Sequence, residues 1–222
     1  MGLREEKKAE QRRAILYTAA ALFRKRGYDE TRIRDIAERL RISEVTFFNY
    51  FPSKDALIMA FAVEMLEFSI ASVKRELKRD DCSVPDRIRS LMRQWAISWD
   101  SDPEYHVLVA TQSGLMTDAT GVIREKGLQL YAQYERLFAL GQQRGEIRAD
   151  RKTLDLAEMM EGIFTLIARN WASGWWGKKT QSLEQRFMNA MDVFLEGCAA
   201  SGAAQSRASS PHRKARLRVS NK

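Results

Sequence analysis

Cysteine is almost absent from this chain. Cys82 and Cys198 are the only two in 222 residues, too far apart to frame a disulfide-stapled fold and offering no CxxC pair for a metal or redox site. Histidine is equally sparse, with His106 in an apolar stretch and His212 near the end. No GxSxG, HExxH or paired-carboxylate constellation occurs, so no catalytic residue, metal ligand or cofactor is expected, and an enzyme is excluded. Gly177-Lys178-Lys179-Thr180 resembles the end of a phosphate loop, but Ala172 stands where the first glycine is required and no strand precedes it. The longest clean apolar run, Ala56 to Val63, falls short of a membrane span, and the charged N-terminus lacks a signal peptide's apolar stretch. A soluble, cytoplasmic protein with no membrane partner is expected. Only 4 prolines and 12 glycines punctuate the chain, which leaves room for long helices.

What is present is a globular composition, 45% hydrophobic and 30% charged, with a net charge of +8. That charge is unevenly placed. Residues 1–60 hold 13 Lys+Arg against 9 Asp+Glu, residues 61–202 hold 18 against 20, and residues 203–222 hold 6 against none. A basic N-terminal module points to a polyanionic partner, whereas a basic tail alone says little.

Periodicity predicts helices throughout. The first, 5–26, places Ile15, Ala19, Leu22 and Phe23 on one face and stops at Gly27. Thr31 is a suitable N-cap for a short second helix whose face is Ile33, Ile36, Ala37 and Leu40. A turn at Arg41-Ile42 leads to Ser43, which caps a third helix, 44–50, ended by Phe51-Pro52. A long fourth helix runs from Ser53 to about Arg79, with Leu57, Phe61, Met65 and Phe68 on its inner side. Beyond the polar 80–85 stretch, helices are expected near 85–100, 104–117, 121–145, 153–173 and 182–199. From Ser201 on, little can be buried and disorder is expected. The organisation is therefore a domain at 1–53, a helical domain at 54–200 and a tail at 201–222.

The third helix carries more polarity and aromatic surface than packing requires. Val45, Phe47 and Phe51 can face Ile15, Leu22 and Ile36, which leaves Glu44, Thr46, Phe48, Asn49 and Tyr50 pointing outward. Such a face calls for a partner, and a short helix of this kind fits the major groove of duplex DNA. Gly27-Tyr28, Thr31-Arg-Ile-Arg-Asp-Ile-Ala37 and Ile42-Ser-Glu-Val-Thr-Phe-Phe-Asn-Tyr-Phe-Pro-Ser-Lys-Asp-Ala-Leu57 resemble the DNA-binding domain of the TetR family over about residues 10–60. The resemblance implies an all-α chain with a three-helix N-terminal helix–turn–helix domain and a larger C-terminal ligand-binding and dimerisation domain. It implies that Thr31 caps the second helix near a phosphate, that Ser43, Glu44, Val45, Thr46 and Asn49 face the groove, and that Tyr50 and Lys54 hold the DNA backbone. Arg32, Arg41 and Phe48 complete the expected DNA-binding set. Two departures stand out. Phe48 replaces a frequent tyrosine, and Arg41 replaces a frequent turn glycine, so either the turn differs or Arg41 is strained.

The second half is rich in large apolar residues that suit either a helical core or a cavity. The resemblance implies a pocket for a small-molecule effector here but does not identify its lining; from the aromatic residues of this half, Trp95, Trp99, Tyr134, Phe138 and Phe164 are the expected lining. Polar candidates are Gln94, Gln112, Glu135, Glu158, Glu161 and Asn170. It also implies a homodimer made by pairing the last two long helices, whose stripes contain Leu154, Ala157, Phe164 and Ile167, and Phe187, Met191 and Phe194. The expected function is a regulator, most simply a repressor, that binds a palindromic double-stranded DNA operator as a dimer. A small apolar or amphipathic effector would release it, with helix 54–79 as the coupling element. The alternative is a helical adaptor or nonspecific nucleic-acid-binding protein using the basic tail.

Overall fold

The computed structural model describes residues 2–101, 106, 121–175 and 181–200. Among them every regular element is a helix: α1 Leu3–Arg26, α2 Ile33–Leu40, α3 Glu44–Phe48, α4 Asp55–Leu77, α5 Val84–Ser101, α6 Val122–Gln143, α7 Thr153–Ala172 and α8 Leu183–Cys198. The only strand-like contact among them is an isolated bridge between Ile147 and Ala199. The all-α expectation holds. The helix expected at 104–117 (apart from His106), the phosphate-loop-like stretch and the basic tail lie outside the described residues.

Two compact units divide the chain, one drawing on residues 1–70, 97–130 and 168–180, the other on 71–96, 131–167 and 181–222. In the first, Ile15, Leu16, Ala19, Ala20 and Phe23 of α1 form a buried cluster with Ile36, Phe47, Phe51, Leu57, Ile58 and Phe61. Each Ile, Leu and Phe side chain among them contributes about 1.5–3 kcal/mol by leaving water. α1 ends where Gly27 takes φ +86° and donates its N–H to the Phe23 carbonyl at 2.8 Å. A side chain there would be strained.

α4 is long and apolar enough to cross a membrane by length and composition. Its Leu57, Ile58, Phe61, Ala62, Ile70 and Val73 are instead buried within the fold. Phe68, expected on the inner side, is 42% exposed, although the helical repeat places it on the same stripe as Leu57 and Phe61.

The second unit buries Val84, Ile88, Leu91, Met92 and Trp95 of α5, Tyr134, Leu137 and Phe138 of α6, Leu156, Ala157 and Met160 of α7, and Leu183, Phe187, Met191 and Leu195 of α8. Arg87 is wholly buried without a carboxylate contact. Its guanidinium donates to the Glu76 carbonyl at 3.2 Å and to the Cys82 carbonyl at 3.2 and 3.3 Å. These carbonyls lie at and just beyond the C-terminal end of α4, where backbone acceptors lack helical partners and a cation meets the negative end of the dipole. The buried Glu76 carboxylate accepts from Ser90 at 2.9 Å, Gln94 at 2.8 Å and Arg79 at 3.0 Å. Glu146 accepts the Val84 N–H at 2.6 Å and so caps the start of α5.

Candidate nucleic-acid interface

α2 and α3 are set by local chemistry. Asp35 reaches back to accept the Arg32 N–H at 2.9 Å, so the N-cap of α2 is Arg32 and not Thr31. Thr31 is fully buried, and its hydroxyl donates to the Gly27 carbonyl at 2.7 Å. That side chain therefore ties the end of α1 to the start of α2 and is turned away from any phosphate. A threonine before a helix reads the same in sequence whether it caps the helix or back-bonds to the preceding turn.

Arg41 closes α2 at φ 56°, ψ 41°, the only non-glycine residue with positive φ among the described residues. The turn keeps the geometry that glycine would favour, and Arg41 carries the strain. Its side chain is exposed. Ser43 caps α3 by accepting the Thr46 N–H at 3.0 Å, and the two hydroxyls lie 2.8 Å apart.

α3 itself is only five residues long, ending at Phe48 where a helix to Tyr50 was expected. Phe47 and Phe51 are buried and anchor it, with ring centroids 6.1 Å apart. Val45 departs from the inward reading: it is 71% exposed. Two residues before Phe47 on a 3.6-residue repeat, it must point away from the core. The outward face is thus Glu44, Val45, Phe48 and Asn49, with Thr46 half-buried at its edge. Phe48 is 46% exposed and packs edge-on against Phe47 at 5.7 Å. Tyr50 is part-buried and packs on the core cluster. Arg32 is exposed beside the start of α2.

Lys54 departs most from expectation. Its Nζ donates to the carbonyls of Tyr28 at 2.7 Å, Thr31 at 3.2 Å and Asp29 at 3.5 Å, and lies 4.1 Å from the centre of the Tyr28 ring. Its three donors are directed to the protein's own main chain, not left open for a phosphate. Next to it, the Tyr28 hydroxyl donates to Asp55. Burial first, then this bond and the nearby carboxylates, push the Tyr28 phenol well above its usual range. Sequence reasoning saw Tyr28, Lys54 and Asp55 only as parts of a resemblance. Nothing in linear spacing reveals a contact between residues 26 positions apart. Arg12, whose guanidinium stacks over Phe51 at 4.9 Å, was missed for the same reason.

In the second unit, three of the expected pocket residues come together. Trp95 packs on Phe164 at 4.9 Å and on Tyr134 at 6.3 Å. Phe138 meets Phe194 at 6.2 Å, and Phe164 stacks on Phe187 at 4.8 Å. Trp99 belongs to the first unit, stacked on His106 at 4.8 Å with Trp171 at 6.5 Å. Glu161 accepts from the Tyr134 hydroxyl at 2.9 Å and from Thr165 at 3.3 Å, and burial raises its pKa above the carboxylate norm.

The expected dimer stripe needs correction. Ala157, Phe187 and Met191 are fully buried within the chain, and Phe164 is part-buried among the aromatics just described. Ile167 and Phe194 are part-buried and Leu154 is exposed. Besides Leu154, the faces of α7 and α8 that point outward carry Met159, Leu166 and Val193, and Val193 is 73% exposed. A shallow groove of about 470 Å³ runs between these helices beside Met159, Val193 and Phe194. Sequence periodicity finds both stripes but cannot say which faces inward.

A short helix with an exposed reading face, set on a capped turn and anchored by two buried phenylalanines, defines a helix–turn–helix DNA-binding domain. Residues 15–61 match the profile of the bacterial regulatory proteins of the tetR family. It is 41% identical over 51 residues to YuxN of Bacillus subtilis, described as an uncharacterized HTH-type transcriptional regulator, covering 23% of this chain and 18% of that protein. It is 31% identical over 122 residues to the HTH-type transcriptional repressor Rv1474c of Mycobacterium tuberculosis, covering 52% of this chain and 65% of the repressor. The matched stretches thus span less than two thirds of either relative. The fold is similar to that of Thermus thermophilus FadR, a TetR-family repressor crystallised with lauroyl-CoA. The TM-score is 0.64 at 23% identity, over 84% of this chain and 94% of that chain. These relatives are regulators, not enzymes.

Proposed function

We propose that this protein is a transcriptional repressor that binds a two-fold operator as a homodimer and releases it when a small amphipathic molecule binds the larger helical region. The observation that carries the reading is the outward face of α3. Glu44, Val45 and Phe48 of α3, with Asn49 just after it, are exposed, while Phe47 and Phe51 anchor the segment in the core. One such helix reads too few base pairs, so a dimer presenting two at about 34–36 Å spacing is required. The outward apolar residues of α7 and α8 supply a surface for it, since four large side chains in water favour a partner. Lauroyl-CoA in the FadR structure supports an amphipathic effector. Such a molecule shifts the operator equilibrium only by its differential affinity for the two states of the dimer.

The test is selection of randomised duplex DNA on purified protein at physiological salt. Enrichment of a two-fold motif bound by a dimer is the expected outcome, and binding without any motif overturns it.

A further inference from the structure

We propose that the cluster around Glu161 in the second unit binds an organic monocation, an aromatic or alkylated ammonium, and that such a molecule is the effector. The inference rests on the effector-responsive reading above and narrows it to a ligand class.

Three observations converge on the same few side chains. First, Glu161 is a part-buried carboxylate whose neighbours are hydroxyls, Tyr134 at 2.9 Å and Thr165 at 3.3 Å. Among the described residues no cation acts on this carboxylate. A carboxylate withdrawn from water and left without a counter-charge is an unfavourable core element.

Second, its partner Tyr134 belongs to a cluster of aromatic rings. Tyr134 packs against Tyr131 at 6.0 Å and against Trp95 at 6.3 Å, and Trp95 against Phe164 at 4.9 Å. Aromatic faces with a nearby carboxylate are the chemistry that recognises an ammonium whose hydration is weak.

Third, Trp95 is 3% exposed and its indole N–H has no hydrogen-bond partner among the described residues. A buried donor left open asks for an acceptor. A ligand with a cationic head and a carbonyl or ether oxygen satisfies both the carboxylate and the indole at once. A fatty acyl chain satisfies neither, since it would lay methylenes against the carboxylate.

The test uses full-length protein and reads binding without DNA, by quenching of tryptophan fluorescence. The probes are benzyltrimethylammonium, its uncharged carbon isostere neopentylbenzene, phenacyltrimethylammonium, which adds a carbonyl, and lauroyl-CoA. Benzyltrimethylammonium is expected to bind at least about tenfold more tightly than neopentylbenzene. Glu161→Gln is expected to remove that preference while leaving the isostere's affinity unchanged. Phenacyltrimethylammonium is expected to bind more tightly than the benzyl compound in wild type and equally in Trp95→Phe.

Equal affinity of wild type for the cation and its isostere overturns the proposal. That comparison does not depend on any variant folding. Unchanged cation affinity in a folded Glu161→Gln protein, or tighter binding of lauroyl-CoA than of the cations, overturns it as well. Operator binding is measured separately without ligand. A protein that finds no operator contradicts the repressor reading, not the cation site. Saturable cation binding that leaves the operator complex intact overturns the effector role.

Discussion

The ammonium of Lys54 lies 4.1 Å from the centre of the Tyr28 ring and donates to the carbonyl of the same Tyr28 at 2.7 Å. One side chain thus grips both the ring and the main chain of the residue that follows α1. With Asp55 accepting the Tyr28 hydroxyl, the start of α4 is fastened to the loop that leads into α2. The donors of Lys54 are thus taken up by the main chain of the segment between α1 and α2.

Lys54→Met is expected to lower the unfolding midpoint, because three carbonyls lose a charged donor at about 1–3 kcal/mol for each one left unsatisfied. Operator affinity should fall while the slope of log affinity against log salt stays as in wild type. Were Lys54 a phosphate contact, the slope would drop by about 0.9. Binding measured at several salt concentrations separates the two.

Arg41→Gly is expected to stabilise the protein by about 0.5–1 kcal/mol. The left-handed conformation at φ 56° is strained for arginine and free for glycine, which the greater entropy of a glycine chain when unfolded offsets only in part. Urea titration of the two proteins measures the difference.

Val193→Asp should convert the proposed dimer to monomer in sedimentation, with little change in unfolding of the subunit, since Val193 is exposed within the chain. Phe187→Ala should instead destabilise the subunit by about 3–5 kcal/mol, as expected for a large aromatic removed from a core. The reverse pattern would restore the stripe read from sequence.

Glu161 carries a pH signature. Its folded-state pKa is raised above the model-peptide value of 4.5, with burial as the largest cause and the Tyr134 and Thr165 hydrogen bonds opposing. The folded state therefore holds the proton more tightly than the unfolded state. Its contribution to stability is full below pH 4.5 and declines as pH rises through the raised value. Glu161→Gln should abolish that decline, so the variant gains stability relative to wild type as the pH is raised to 7. Thermal unfolding from pH 4 to 7 checks it.

Arg87→Ala should cost about 3 kcal/mol or more, because it opens a cavity and strips the Glu76 and Cys82 carbonyls of their donors. Denaturant unfolding followed by circular dichroism reads the loss.

The order and rough bounds of the described helices were legible in the sequence. Local signals dictate them: the Gly27 stop, the Ser43 cap, the Phe51-Pro52 end and the 3.6-residue apolar stripes. So was the likeness to the tetR-family profile over residues 15–61, because the run from Ile42 to Leu57 packs helix, turn and anchor into one contiguous stretch. Tertiary structure alone decided which of two plausible faces turns inward. Val45 proved exposed and Phe187 buried, although both are apolar and both sit on helical stripes. It also decided the destinations of polar side chains. Thr31 turns to Gly27, Lys54 to Tyr28 and Tyr134 to Glu161, across separations of 4, 26 and 27 residues. Helix formation depends on neighbours within a few residues, whereas the pairing of a side chain with a distant carbonyl or carboxylate depends on how helices pack. No period in the sequence records that packing.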